Sequence, residues 1–386
     1  MESKTFCVLP WIHSCVRPDE TIKPCCRFQN HDQKGLDITL DDVAEKGDSA
    51  MNNDIFNDIR QKMLNGEPVE GCVKCYQEEE NKESLKPSMR LFLNQRFGSS
   101  INSNIDNKFQ QIHYIEMSLD NICNLECRMC NSFFSTKLQK RDKYLQHYHS
   151  NQNTVHKKQE PNWEKYNSSD LSKLEYVKIL GGEVFRTPNF EPFLDWLDSK
   201  TGLENIVVEL STNGTALPSG SLLDKMLRLK QINSNLSLDA THDVNDYQRQ
   251  GSNWNTVLEN GNKLCELFRE QAYWPSIHTT QSIFTVPFFS QTLKDFEKLG
   301  WSYTVDFVYK PDEYNIQFAP PEVKQWLLES NKDHPKAYSL VNSQLKTDKY
   351  NKQVWENLGN QVTLLDYYYD KKLADYSPIL AQHLGV

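Results

Sequence analysis

The stretch DNICNLECRMC, residues 120–130, decides the fold prediction because it places three cysteines close together directly after a predicted strand. They are Cys123, Cys127 and Cys130, so the spacing is C-x3-C-x2-C. Three thiolates can wrap one iron–sulfur cube while supplying three of its four iron ligands, which leaves one iron open. A structural zinc site with a fourth ligand from elsewhere is the alternative, although zinc sites more often combine two C-x2-C hooks. The spacing therefore predicts a catalytic iron–sulfur cluster.

Short apolar segments after residue 110 predict the strands of a parallel sheet. The later segments recur at intervals of roughly 30 to 40 residues, as repeated strand–helix units do. Alternating polar and apolar residues in the last three place polar groups on one face, which suits a curved, partly open barrel lined by a ligand site. We predict strands at residues 112–119, 174–180, 205–212, 235–239, 276–283 and 303–309.

Composition and charge argue against several classes of protein. The net charge of −9 opposes broad binding to nucleic acid, because phosphate contacts need clustered Lys and Arg. The basic run at Lys137, Lys140, Arg141 and Lys143 is interpreted as the solvated face of a helix. No apolar run approaches the ~20 residues that span a bilayer, and the first residues lack the pattern of a signal peptide. We expect a cytoplasmic protein with no membrane or nucleic-acid partner.

Nine of the ten cysteines fall within the first 130 residues. Grouped cysteines in a reducing compartment usually bind metal or carry out chemistry. Ahead of the triplet stand the single Cys7, the pair Cys25 and Cys26, and the hook Cys72-x2-Cys75. These can supply four thiolates, so the pattern predicts a second metal centre.

The cysteine triplet after the first strand resembles the signature of the radical S-adenosylmethionine (SAM) superfamily, whose core is a partial (β/α)6 TIM-type barrel. Gly181, Gly182 and Glu183 end the second predicted strand and resemble the family's Gly-Gly-Glu motif, which contacts the SAM amino group. A simple turn is the alternative for this motif.

The further SAM-binding positions that the resemblance implies are Thr212, Asn213, Ser237, Asp239 and Arg249. For the Thr-Asn-Gly segment at residues 212–214, a turn is the first interpretation and proximity to the cofactor the second. For Arg249, a surface salt bridge is the alternative.

The resemblance also implies an activity. A [4Fe-4S] cluster would cleave SAM reductively to a 5′-deoxyadenosyl radical, which abstracts a hydrogen from a substrate. A small electron donor such as flavodoxin or ferredoxin would serve as partner. The substrate is expected to be a peptide or protein side chain, with a small molecule as the alternative. A non-catalytic zinc or iron–sulfur binding protein and an iron–sulfur electron carrier are the competing functions.

The N-terminal cysteines resemble the auxiliary-cluster modules called twitch and SPASM, in a variant that precedes the core. Glu20 stands where those modules have a glycine four residues before a cysteine. Counting from that position implies Cys7, Cys25, Cys72 and Cys75 as ligands, with Cys26 as the rival of Cys25 and a zinc ribbon as the alternative site. The expected domains are a cysteine-rich module at 1–110, a radical SAM core at 111–320 and a C-terminal helical extension at 321–386, with helices at 321–330 and 338–358.

Overall fold

The computed structural model describes residues 4–29, 38–80, 87–101, 105–148, 155–271 and 275–386. The chain divides into two compact units, each built from several segments. The first unit comprises Met1–Asn121, Lys158–Leu210 and Pro218–Ile232, and the second comprises Ile122–Lys157, Ser211–Leu217 and Asn233–Val386. Among the described residues, none of the helices combines the length and apolar character that crossing a membrane requires.

Helices and strands alternate through most of the chain, as in α/β proteins. The strands are β1 His13–Val16, β2 Ile22–Lys23, β3 Tyr114–Ser118, β4 Glu126–Cys127, β5 Tyr176–Leu180, β6 Val207–Thr212, β7 Gln231–Ser237, β8 Arg249–Gln250, β9 Pro275–Gln281 and β10 Ser302–Phe307. The helices are α1 Leu9–Ile12, α2 Leu40–Lys46, α3 Asp54–Leu64, α4 Val73–Glu80, α5 Met89–Phe97, α6 Gln139–Tyr148, α7 Phe190–Thr201, α8 Gly220–Leu227, α9 His242–Gln248, α10 Trp254–Leu267, α11 Phe289–Leu299, α12 Pro321–Ser330, α13 Pro335–Leu345, α14 Lys352–Tyr369, α15 Leu373–Tyr376 and α16 Pro378–Leu384.

The strands of the first unit lie in the order β6-β5-β3-β1-β2. Every neighbouring pair is parallel except the short hairpin of β1 and β2. In the second unit the order is β10-β9-β7, again parallel, and β4 forms a separate antiparallel pair with β8. The predicted α/β class with mostly parallel strands is confirmed, and each predicted strand overlaps an observed one. Closure into a partial barrel and the three domain boundaries stay predictions.

The N-terminal segment contributes β1, which the sequence pattern did not predict. His13 to Val16 pair in register with Tyr114 to Met117 of β3. All four of its residues are buried, including the polar His13 and Ser14, so the sequence shows neither the alternation of a half-buried strand nor the apolar run of a fully buried one. The cysteine-rich module therefore extends the parallel strands of the first unit.

The C-terminal residues pack into the hydrophobic core of the second unit. Leu327 of α12, Val341 of α13 and Val362 of α14 are buried in one cluster with Phe289 of α11, and each large apolar side chain so buried contributes roughly 1.5–3 kcal/mol. The predicted helix at 321–330 is confirmed. The single helix predicted at 338–358 is wrong, because Asn351 accepts hydrogen bonds from the backbone N–H groups that begin α14 and so starts a new helix.

Candidate functional site

The cysteine loop, residues 123–130, lies in the second unit and brings the three predicted thiols together. Cys127 belongs to β4 and pairs with Arg249 of β8, while the Cys130 N–H donates to the Cys127 carbonyl over 3.1 Å. Burial raises the pKa of Cys127 to about 12, with the neighbouring Cys130 and Cys123 adding to the rise and Arg249 opposing it. Cys123, Cys127 and Cys130 thus lie near enough for each thiolate to affect the others, and Arg249 is the neighbouring cation. The loop therefore presents three thiols to one space.

Arg141 of α6 holds the backbone of the cysteine loop. Its Nη1 donates to the Cys127 carbonyl over 2.9 Å, and its Nη2 donates to the Cys130 carbonyl. The same guanidinium pairs with Asp142, whose carboxylate also accepts the Ser132 N–H over 2.7 Å. Interpreting Arg141 as part of a solvated face is wrong: it is buried, because carbonyls turned inward by the loop need donors and a guanidinium offers five.

The other members of that basic run behave as predicted. Lys137, Lys140 and Lys143 are exposed. An arginine among lysines offers no sequence signal that would separate its role from theirs, so residue type and spacing could not have identified Arg141.

Asp239 and Arg249 form a buried ion pair beside the cysteine loop. Arg249 Nε lies 2.8 Å from Asp239 Oδ2, and Nη2 donates to Oδ1 over 3.0 Å. The Asp239 carboxylate also accepts from Gln248 Nε2 over 2.8 Å and from the Thr280 N–H over 2.9 Å. Burial disfavours the charge of Arg249, but Asp239 and Cys127 hold its pKa above the ordinary value. The arginine therefore keeps its charge, and the aspartate positions it.

A ring of hydrogen bonds fixes the predicted Thr-Asn-Gly turn against the cysteine loop. Asn213 Nδ2 donates to Asn124 Oδ1 over 3.0 Å, and Asn124 Nδ2 donates to Thr215 Oγ1 over 2.8 Å. Thr215 Oγ1 closes the ring by donating to Asn213 Oδ1 over 2.6 Å. Asn213 Nδ2 also lies 3.9 Å from the Cys123 sulfur. Asn213 thus acts both in a turn and near the predicted cluster.

Two further predicted positions flank this turn and the ion pair. The Thr212 hydroxyl accepts a hydrogen bond from the Gly214 N–H over 3.1 Å. Thr212 therefore stabilises the turn, as the first interpretation of the Thr-Asn-Gly segment expects. Ser237 is half-buried at the end of β7, in register with His278 of β9.

The Gly-Gly-Glu motif lies in the first unit, directly after β5. Gly181 has φ +128°, and a Cβ at this position would stand 2.5 Å from the Asp120 carbonyl oxygen. Gly182 is half-buried, and the Glu183 side chain is buried and accepts the Phe185 N–H over 3.3 Å. Only glycine fits this close backbone approach. The motif is therefore a constrained turn.

Four of the N-terminal cysteines line one small pocket in the first unit. They are Cys7, Cys25, Cys72 and Cys75, and Arg27 and Arg90 lie beside them. Burial raises the pKa of Cys72 to about 12, with Cys75 adding to the rise. Burial also raises the pKa of Cys7, and there the nearby Cys72 adds to it.

Cys26 lies apart from that cavity lining and contacts Glu116. Its thiol donates to Glu116 Oε1 over 3.3 Å, and its N–H donates to Oε2 over 2.9 Å. Cys15 is buried on β1. The geometry separates the two members of the Cys25–Cys26 pair, which the sequence left open.

Both donor sets consist of cysteine thiols, the ligand type that holds iron–sulfur clusters. Among the residues that the structure describes, no three His, Cys, Asp or Glu side chains converge closely enough to hold one metal ion. In an iron–sulfur cube each cysteine binds a different iron, whereas all four ligands of a structural zinc site bind one ion.

No protein-family model matches the chain, and no curated protein matches it. Similar solved structures include native anSMEcpe with bound AdoMet, at 17% identity over 57% of this chain and 59% of that chain, with a TM-score of 0.38. Streptococcus suis SuiB bound to precursor peptide SuiA is 15% identical over 81% of this chain and 66% of that chain (TM-score 0.36). SuiB bound to S-adenosylmethionine is 15% identical over 71% and 53% (TM-score 0.34). The chain spans less than two thirds of the length of each.

Proposed function

We propose that this chain is a radical SAM enzyme whose catalytic [4Fe-4S] cluster is held by Cys123, Cys127 and Cys130. The observation that carries the proposal is the β4–β8 pairing, which sets Arg249 directly opposite Cys127. A three-cysteine cluster site with a fixed arginine at its edge is suited to a ligand that has a carboxylate.

When bound and reduced, the cluster supplies an electron that splits SAM into methionine and a 5′-deoxyadenosyl radical. The protein's own residues bind and orient. Asp239 engages Nε and Nη2 of Arg249, which leaves Nη1 for the methionine carboxylate. Arg141 keeps the loop carbonyls occupied, so the thiols retain their arrangement. Gly181, Gly182 and Glu183 are proposed for the SAM amino group, and Ser237 for its ribose.

For the first unit we propose an auxiliary iron–sulfur cluster held by Cys7, Cys25, Cys72 and Cys75. Four thiolates close the coordination of a cube, so this centre relays electrons and does not bind substrate. Arg27 and Arg90 line the same cavity, and Glu78 and Glu79 offset their charges in ion pairs. A flavodoxin or ferredoxin is the proposed electron donor, and a peptide side chain is the proposed substrate, with a small molecule as the alternative.

The test is anaerobic reconstitution with iron and sulfide, followed by SAM and dithionite. We expect 5′-deoxyadenosine to form, and metal analysis to give about eight irons per chain for two cubes. Two intact clusters without any 5′-deoxyadenosine would assign the chain to the electron carriers instead. About two zincs per chain after anaerobic purification would indicate the non-catalytic scaffold.

A further inference from the structure

Arg128, inside the cysteine loop between Cys127 and Cys130, reaches the C-terminal part of the chain. The residue is 2% exposed, and its side chain is fully buried. Nη2 donates to Asp366 Oδ1 of α14 over 2.6 Å, across 238 positions of sequence, and Nε donates to the Tyr247 carbonyl over 3.1 Å. The guanidinium carbon lies 3.8 Å from the centre of the Tyr247 ring. The loop is thus tied to α14 through one buried cation.

The Asp366 carboxylate joins three elements of the second unit. Besides Arg128, Oδ1 accepts the Tyr247 hydroxyl of α9 over 2.9 Å, and Oδ2 accepts the Leu373 N–H at the start of α15 over 2.5 Å. Three residues further along α14, the Tyr369 hydroxyl lies 3.2 Å from Glu126 Oε2. Residues three apart share one face of a helix, so one face of α14 supports the cysteine loop at two points.

Three arginine–aspartate pairs surround the loop, and Asp366 is the member that comes from the C-terminal segment. The others are Arg141 with Asp142 and Arg249 with Asp239. Removing one partner of a buried pair leaves an uncompensated charge, which destabilises the surrounding structure. Loss of Asp366 would therefore disturb Arg128 and the thiol-bearing backbone on either side of it.

We propose that α14 is part of the cluster-binding machinery, and that Asp366 is a positioning residue that holds the cysteine loop and sets the charge beside it. The positional part stands on the contacts alone, whereas the redox part rests on the proposed function. Asp366 offsets the charge of Arg128, so its removal adds net positive charge near the three thiolates. Positive charge favours the reduced state, and the reduction potential of the three-cysteine cluster should rise.

The experiment compares Asp366→Ala with Asp375→Ala in the full chain. Asp375 is exposed on the neighbouring α15, so its variant removes the same charge without the buried pair. In the metal-free protein, hydrogen exchange of the Arg128 and Cys130 amides, which donate to Gln248 and Cys127, should quicken at least about tenfold in Asp366→Ala. In the reconstituted protein the three-cysteine cluster should shift to a more positive potential. Asp375→Ala should match the wild type in both.

The proposal would be overturned if these amides exchanged at the same rate in Asp366→Ala and Asp375→Ala. It would also be overturned if the reduction potential of the three-cysteine cluster were unchanged in Asp366→Ala. If Asp366→Ala does not fold, Asp366→Asn keeps the side-chain volume and one acceptor oxygen, and Asp375→Asn becomes its control. In Asp366→Asn the amide exchange rates should rise less than in Asp366→Ala, and the reduction potential should shift in the same direction. Values equal to those of Asp375→Asn would again overturn the proposal. A wild-type chain that never cleaves SAM would count against the proposed function, whereas the exchange comparison in metal-free protein would still decide the role of α14.

Discussion

Cys26 donates its thiol to Glu116 over 3.3 Å, whereas its neighbour Cys25 lines the four-cysteine cavity. Glu116 also accepts the Tyr114 hydroxyl over 2.8 Å, so its carboxylate is held in place on β3. Cys26 donates two hydrogen bonds to that fixed carboxylate, one from its backbone N–H and one from its thiol, and turning its sulfur toward the cavity would break the bond from the thiol. This relationship makes the ligand choice between the two cysteines testable.

We predict that Cys25→Ala loses one cluster and that Cys26→Ala loses none. After identical reconstitution, Cys25→Ala should hold about four irons per chain and Cys26→Ala about eight, because each cube contains four. Iron and sulfide analysis with electron paramagnetic resonance of the reduced protein provides the measurement. A full iron content in Cys25→Ala together with a halved one in Cys26→Ala would reverse the assignment.

For the catalytic centre, Cys127→Ala should abolish SAM cleavage and remove about four irons. Removing one of three thiolates leaves too few ligands to retain the cube, while the cavity of the first unit keeps its own. Cys265→Ala is the matched control: this cysteine lies in α10, where its thiol donates to the Gly261 carbonyl over 3.1 Å. Chromatographic detection of 5′-deoxyadenosine measures the outcome, and undiminished cleavage by Cys127→Ala would disprove the site.

Residues with their own local pattern were predictable from the sequence, and those defined by distant partners were not. Strands β5 and β6 have apolar runs with clear ends, so prediction and structure agree within two residues at each end. Strand β1 has no such pattern, since its definition comes from pairing with β3 about a hundred positions later. The break between α13 and α14 was missed because an asparagine such as Asn351 can either cap the start of a helix or lie within one, and the residue type alone does not say which.

The candidate site divides in the same way. Cys123, Cys127 and Cys130 were identified because metal ligands recur at fixed short spacings. Arg128 lies inside that motif, yet its partner Asp366 belongs to a helix whose sequence suggests only packing. An ion pair between residues so far apart leaves no spacing to detect, which is why the C-terminal segment could be assigned helices but no role.

Gly181→Ala should destabilise the protein more than an ordinary glycine substitution at positive φ. Its φ of +128° disfavours any side chain, at about 1–3 kcal/mol, and the new Cβ would stand 2.5 Å from the Asp120 carbonyl oxygen. Gly300→Ala is the control, because Gly300 has φ +68° but no atom within 4 Å of a built Cβ. Urea unfolding of the metal-free proteins should show a loss of about 3 kcal/mol or more for Gly181→Ala and about 1 kcal/mol for Gly300→Ala. Equal losses of unfolding free energy in the two variants would mean that the backbone near Asp120 moves away from the new Cβ at little cost.

Asp239→Ala should cost about 3–5 kcal/mol of unfolding free energy, because it leaves the Arg249 guanidinium buried without its partner. The double variant Asp239→Leu with Arg249→Met should recover only part of that stability, because it removes both charges together but also removes the acceptor of Gln248 Nε2 and the Thr280 N–H. The recovered protein should still reconstitute its clusters yet bind SAM at least about tenfold more weakly, because the cation assigned to the methionine carboxylate is gone. Urea unfolding measures the first effect and equilibrium dialysis of labelled SAM the second. Glu259→Ala, at an exposed pair with Lys263, should leave both unchanged. A double variant that is stable and binds SAM as the wild type does would show that Arg249 serves only as the partner of Asp239.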